Sequence, residues 1–480
     1  MTEPMVPNDP KLWSETWTAS EGIFAKDFSA WIWKKDNIEK IKIASGSLSQ
    51  LASATNELKP KETCIPVHLW YSFGFNALQE VRNRWNQLVG NVLFDRNEAS
   101  VGPKINKALD IKLIGENIIP IGGTIKTAIE IFFASAYPLQ GQLSLKLPEN
   151  WLGYFLTEKG KESVIPIPQL KPFESTKINL EITAANKKQS PVEKISVHMS
   201  GEFELDYDSY LLITTKDGMK IEEKENQGEK VFSISNGLLS FEIPKTLTSS
   251  LFSLKDKQNN SYLVDNFPTI KPKFFIEYHL GGIRPIVFHE NADEPFQKLE
   301  KCKTKAIKEG LWQGITTTWT IKEDKDYMKG QGVEVKYLTL PGSEMIKIVL
   351  TQINDTPREI NSIVGLMADI GIDGSIEKNI IEAASSTRTW FRNNWKTPLI
   401  SQGSFDKPYA RIFKDKRSIA AIVPNGNNGT VVVGDIGVML FMWILFISNV
   451  KPHSKNTVES IILVNQPSEL MEEIRIALEK

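Results

Sequence analysis

The chain is predicted to be mainly β, a series of β-sandwiches with a few short helices, and three observations carry that prediction. Strand-length runs alternate apolar and polar residues, as where Leu239, Phe241 and Ile243 are interleaved with Ser240 and Glu242 after an Asn236-Gly237 turn, the period of a strand with one buried face. Runs of this kind recur at short spacing between turn residues, notably IKLIGENIIPIGGTIKTAIEIFFAS, LQGQLSLKLPENW, STKINLEITAA and KISVHMSGEFELD between Ile105 and about Thr215. At 480 residues the chain is long enough for several domains, each with its own core.

The totals narrow the partners. A hydrophobic content of 41% and a charged content of 24% are ordinary for a globular protein. The net charge is -1 with both signs interspersed, which leaves no electrostatic footprint for nucleic acid. Two cysteines, Cys64 and Cys302, rule out a disulfide framework and a four-cysteine zinc site; they read as two buried thiols, with one bridge between them as the alternative. The N-terminus lacks a basic start followed by an apolar run, so the default expectation is a cytoplasmic protein, with a surface or extracellular one expected if the N-terminus is incomplete. The most apolar stretch, Ile436 to Ile447, has 12 residues against the roughly 20 of a bilayer-crossing helix, so a long buried strand is expected there and no membrane partner.

From Phe232 to Asp265 the sequence reads strand, short strand from Leu251 to Leu254, polar turn from Lys255 to Asn260, and a third strand beginning at Tyr262-Leu263. Asn236, Leu239, Phe241, Ser253, Leu254 and Asp256 match a line of the type N-x-x-L-x-F followed by S-L-x-D. On these residues the segment resembles the opening of the galactose-mutarotase-like β-supersandwich found in the C-terminal parts of α-mannosidases; Ser249-Ser250 stand where that family commonly has a glycine pair. The resemblance implies a complete supersandwich over residues 219–480, with strands near Gly314–Ile321, Gly332–Leu340, Met345–Asn354 and Ile363–Ile372 and a final helix covering an edge. The polar stretch Gln297–Lys308 has no strand period and is expected as a surface loop or short helix.

Residues 101–218 read as an immunoglobulin-like β-sandwich from their strand and turn spacing. Gly122-Gly123, Leu143 to Pro148 and Trp151 resemble the sandwich modules appended to α-galactosidases. Residues 1–100 carry a different signal. Leu58–Trp85 and Val450–Leu478 align as loop, strand and helix, with Lys59-Pro60 against Lys451-Pro452, Val67 to Trp70 against Ile461 to Val464, and Glu80-Val81-Arg82 against Glu473-Ile474-Arg475. Upstream, GIFAKDFSAWIW compares with ARIFKDKRSIAAIV. The first domain is therefore expected to be a partial supersandwich-like module with a closing helix, a place for a protein partner to dock.

Candidate chemistry concentrates in FIEYHLGGIRPIVFHENADE, Phe275–Glu294, which holds two of the five histidines. Its Gly281-Gly282-Ile283-Arg284-Pro285, followed by Trp312-Gln313-Gly314, resembles the family's GG-I-x-P and W-x-G pieces. A sugar site needs a flat ring against C–H faces and planar or charged groups for hydroxyls. Tyr278 and Trp312 supply rings and Arg284 a fork of donors, giving Tyr278, Arg284 and Trp312 as candidate substrate-binding residues. Mutarotase-type chemistry needs a general acid and a general base on either side of a ring. Glu277, His279 and His289 are the candidates, Glu277 and His279 falling on one face of an extended strand. Their ordinary alternative is a hydrogen-bonded surface pair. His279, His289 and Glu290 lack the spacing of known zinc sites, and neither a P-loop nor a dinucleotide fingerprint is present, so no metal or cofactor is expected. Trp31 and Trp33 share a strand face, as a sugar platform or as core.

The leading expectation is a carbohydrate-binding or carbohydrate-processing protein, an accessory subunit without its own catalytic domain. Two alternatives stay open: an enzyme, mutarotase, epimerase or glycoside-cleaving, acting at Glu277, His279 and His289, and a structural or assembly β-protein.

Overall fold

The computed structural model describes residues 17–21, 27–33, 38–44, 47–53, 69–75, 109–133, 140–170, 174–187, 190–201, 204–269, 271–273, 276–289, 302–320, 329–384, 389–392, 409–424, 429–435 and 440–478. The chain divides into two compact units, Met1–Lys104 and Ile105–Lys480. In the first, the strands Trp17–Glu21, Asp27–Trp33 and Leu69–Phe75 form a three-stranded antiparallel sheet, and Ile38–Ala44 pairs with Ser47–Ser53. Ala30, Ile32 and Trp33 are fully buried, while Trp31 is half-buried with its ring 4.6 Å from that of Tyr71. Trp33 is thus core. The aligned strands of the two chain ends are antiparallel neighbours in both places, Asp27–Trp33 beside Leu69–Phe75 and Arg417–Ile422 beside Ser454–Val464. Their lengths differ, since Leu69–Phe75 runs on past Trp70 whereas Ser454–Val464 stops at the residue aligned with it. The helix expected after Asn76 lies outside the described residues, as does Cys64.

The second unit begins as a sandwich of two five-stranded sheets. One runs Gly160–Glu162, Leu152–Thr157, Ser175–Thr183, Thr124–Phe133, Leu109–Leu113, and the other Val164–Pro166, Gly141–Lys146, Val192–Gly201, Leu205–Thr214, Ile118–Pro120. Alternate residues of facing strands, among them Ile129, Ile131, Leu143, Phe155, Leu180, Ile182, Val197 and Met199, form one core. That is the period-2 signal of the sequence turned into two inner faces.

The remainder is a larger sandwich. One layer is a nine-stranded sheet from Lys303–Glu309 through Trp312–Thr320, Gln331–Thr339, Met345–Asn354, Ser454–Val464, Arg417–Ile422, Tyr409–Lys414 and Ile380–Ala384 to Thr389–Arg392. The other layer combines a four-stranded sheet, Lys220–Asn226 to Ser253–Asp256, with a second four-stranded sheet ordered Ile283–His289, Ile360–Asp369, Leu440–Val450, Gly429–Asp435. The bridge Leu251 to Ile283 joins these two. Between the layers lies the main core, with Ile234, Phe241, Tyr337, Ile348, Val364, Leu366, Ile444 and Ile462 among its members. Leu440–Val450 is the long buried strand expected of the apolar stretch, and no helix among the described residues is long and apolar enough to cross a membrane.

Two expectations need correction. Lys303–Glu309 lies within the stretch expected to be loop or helix, yet it is a strand at the edge of the nine-stranded sheet. Both its faces are largely wet, so no alternation marks it, and its lysines suit an exposed edge. The final helix, Met471–Leu478, does not cover a sheet edge. Met471, Ile474 and Ala477, one turn apart, pack between Val192 and Leu212 of the first sandwich and Leu340, Ile422, Ile461 and Leu463 on the back of the nine-stranded sheet. Burying Met471 and Ile474 there contributes about 1.5–3 kcal/mol each.

The Phe232–Asp265 unit is held by its polar residues. Asn236 is 1% exposed; its Oδ1 accepts the N–H groups of Leu238 (3.0 Å) and Leu239 (2.8 Å). Its Nδ2 donates to Thr339 Oγ1 (2.6 Å), Leu340 O (3.1 Å) and Ser343 O (2.8 Å), tying this turn to the opposite layer. Asp256 accepts the N–H groups of Gln258 (2.9 Å) and Asn260 (3.0 Å), the Asn260 amide (2.9 Å) and the Tyr262 hydroxyl (2.9 Å). Burial works to raise the pKa of Asp256, but these hydrogen bonds outweigh it and hold the carboxyl below its ordinary value. A depressed folded pKa means that the stability it contributes is complete above pH about 4 and drains away as pH falls through the folded value. Asp256→Asn is expected to flatten the acid side of the stability curve, read as urea midpoints across the acid range; an unchanged slope would assign that limb to other carboxylates.

Candidate functional site

The Gly281-Gly282 pair owes its place to backbone geometry. Both residues have positive φ, 89° and 71°, and a Cβ on them would meet Val264 O at 2.4 Å and Leu251 O at 2.2 Å. Three chain segments converge there. Gly282 N–H donates to Val264 O (3.0 Å), Asp369 N–H to Gly282 O (3.0 Å), Ser250 Oγ to Gly281 O (2.8 Å), and Ile283 and Leu251 exchange two bonds of 2.8 Å. Ser250, standing where the family has glycine, is therefore a brace for this crossing.

From that anchor the strand Ile283–His289 runs along the edge of its four-stranded sheet with Ile283 and Val287 in the main core. Its alternate residues Arg284, Ile286 and Phe288 project from the opposite, outer face. Arg284 sits across from Met367 and donates to its Sδ (3.1 Å). Burial pulls the Arg284 pKa down to about 10, against the favourable field of Asp369. Arg284 and Asp369 are 8% and 2% exposed. Beside them Ile286, Met367 and Phe441 are buried, and Phe288, Val432, Trp443 and Leu445 half-buried. The Trp443 ring is 5.0 Å from Phe441 and 6.1 Å from Phe288, both tilted. The outer face thus carries three clustered aromatic rings beside a buried guanidinium and carboxylate. Rings of this kind pack on the C–H faces of a ligand, and the charged pair orients hydroxyls.

The other sequence candidates separate. Glu277, Tyr278 and His279 belong to a short strand, Ile276–His279, paired with Lys271–Lys273, and His289 ends its strand opposite Ser362. The side chains of Glu277, Tyr278, His279 and His289 lie outside the described part of the structure. Trp312 belongs to the nine-stranded sheet, on the face turned away from the main core, half-buried near the C-terminal helix with Lys347 Nζ 5.5 Å from its ring centre. Arg284 and Trp312 therefore sit on the two opposite outer faces of the sandwich, and do not form one site as their sequence proximity implied. Consecutive segments of a sandwich readily enter opposing sheets, which spacing alone does not reveal. Asp369, Phe441 and Trp443 were missed for a related reason: they lie in continuous apolar runs with no alternation to say which side faces out. Among the described residues no group of three or more His, Cys, Asp and Glu is placed to hold a metal ion.

No family model matches the chain. No curated protein matches it either. Among solved structures it is similar to a galactose mutarotase-like protein from Clostridium acetobutylicum, at 11% identity and a TM-score of 0.37 over 52% of this chain and 98% of that one. It is similar to a putative aldose 1-epimerase from Klebsiella pneumoniae, at 13% identity and a TM-score of 0.36 over 55% of this chain and 88% of that one. It is also similar to the GH36 alpha-galactosidase AgaB from Geobacillus stearothermophilus, at 10% identity and a TM-score of 0.37 over 52% of this chain and 42% of that one.

Proposed function

We propose that the chain binds carbohydrate on the outer face of the four-stranded sheet formed by Ile283–His289, Ile360–Asp369, Leu440–Val450 and Gly429–Asp435. The observation that carries this reading is the cluster of Phe288, Phe441 and Trp443 next to Arg284 and Asp369. Trp443 and Phe288 supply apolar faces for a pyranose. Arg284 and Asp369 form the polar floor, one donating and one accepting. Because both charges are buried beside each other, their role is to orient the ligand and the strands under it, which suits an accessory binding protein.

The test is a glycan array of the purified full chain, followed by titration of any glycan retained. Trp443→Ala is expected to weaken binding about tenfold, the loss of one ring contact, with the circular dichroism spectrum unchanged. Failure of the unmodified chain to retain any glycan would sink the reading. Glu277 and His279 remain the proposed acid–base candidates. Polarimetry on the bound sugar checks them: acceleration of anomer exchange that is lost in Glu277→Gln would make the protein an enzyme, and its absence leaves it a binder.

A further inference from the structure

The first sandwich of the second unit carries a groove that the reading above does not use. It lies on the outer face of the five-stranded sheet, where Leu109–Leu113, Thr124–Phe133 and Ser175–Thr183 run side by side. Asp110, Phe132 and Ser175 stand in one row across the three strands, and Lys112 and Glu130 oppose each other in the next. These five residues line a groove of about 320 Å³, within the size range of small-ligand sites, about 300–1,000 Å³.

Inner-face neighbours such as Ile111, Ile129 and Ile131 are buried in the sandwich core, so the outer face has no structural need for a large apolar ring. Phe132 nevertheless stands there 37% exposed, amid the charges of Lys112 and Glu130. The polar groups around it are paired only with one another. Lys112 Nζ lies 3.1 Å from Asp110 Oδ2, and Ser175 Oγ donates to Glu130 Oε1 at 3.3 Å. Exposed pairs of this kind are weak, so ligand hydroxyls replace them at little cost. A ring flanked by two carboxylates, a hydroxyl and an ammonium matches a sugar, whose C–H face packs on the ring while its hydroxyls donate to the carboxylates and accept from the lysine. Two carboxylates against one lysine in the groove disfavour an anionic ligand.

We infer that this groove is a second carbohydrate site, taking one pyranose unit of a neutral sugar with Phe132 as its platform and Asp110, Glu130, Ser175 and Lys112 as hydroxyl partners. The inference extends the reading of the chain as a carbohydrate-binding protein, and the variants separate the two sites.

The experiment is calorimetric titration of the full chain with neutral monosaccharides and oligosaccharides that the glycan array retains. The unmodified chain is expected to show two binding events, Phe132→Ala to lose one of them by tenfold or more in affinity, and Phe132→Tyr to keep it. Ser175→Ala is expected to weaken the same event without touching the other. Trp443→Ala is expected to remove the other event alone. A single event that Trp443→Ala abolishes and Phe132→Ala leaves intact would overturn the second site while the sheet-face reading stands. A single event with the reverse dependence would keep the groove and overturn the sheet face, and no binding at all would overturn both.

Discussion

Gly282→Ala is expected to destabilise the second unit by roughly 3–5 kcal/mol, the sum of left-handed backbone strain and a forced separation of packed chain. At Gly282 φ is 71° and the added Cβ would stand 2.2 Å from Leu251 O, a backbone atom that cannot turn away. Leu251 and Ile283 hold each other through two 2.8 Å hydrogen bonds, so relieving the clash breaks the bridge between the two four-stranded sheets. The measurement is the urea midpoint against Gly228→Ala. Gly228 also has positive φ, 84°, but nothing stands within 4 Å of its Cβ position. Its variant therefore carries the strain alone. Equal shifts for the two variants would show that the close approach at Gly282 contributes nothing.

Asn236→Ala is expected to cost roughly 3–4 kcal/mol, because it leaves several buried backbone groups without partners at once. Alanine removes the acceptor for Leu238 and Leu239 and the donor to Thr339, Leu340 and Ser343 in a site 1% exposed. Asn236→Asp separates the two halves of that role. It keeps the acceptor for the turn and places a carboxylate against the carbonyls of Leu340 and Ser343, so it is expected to be less destabilising in acid, where the aspartate is protonated and can donate once. Urea midpoints at neutral and acid pH read the difference. A variant as stable as the parent at neutral pH would show that the tie between the layers is not held by this amide.

These two residues also show what was legible in the sequence and in what sense. Asn236 and Gly281-Gly282 were visible as motif positions, and the strands around them as alternating runs. Their reasons were not visible, because both act on chain far away: Asn236 on the turn at Leu340 to Ser343, and Gly282 on Leu251 and Asp369. Met345–Asn354 was placed to the residue, since it has one strongly apolar face. Lys303–Glu309 was lost because a charged edge strand lacks such a face. In the site, Arg284 was identified from its motif, whereas Trp443 was hidden within Leu440–Val450, whose two faces are both apolar.

By itself the sequence determined the β character of the chain, the chemistry of its turns, the absence of a nucleic-acid footprint and the strand that carries Arg284. All of these follow from local periodicity and composition, which each segment carries whatever its neighbours are. The tertiary structure decided which strands lie side by side and which face of each looks outward. It placed Arg284 beside Asp369 and near Trp443, set Trp312 on the opposite face of the sandwich, and seated the C-terminal helix in the joint between the two sandwiches. Strand pairing joins residues distant in the chain through backbone hydrogen bonds that are alike for every side chain, so the sequence marks the strands far more clearly than it marks their partners.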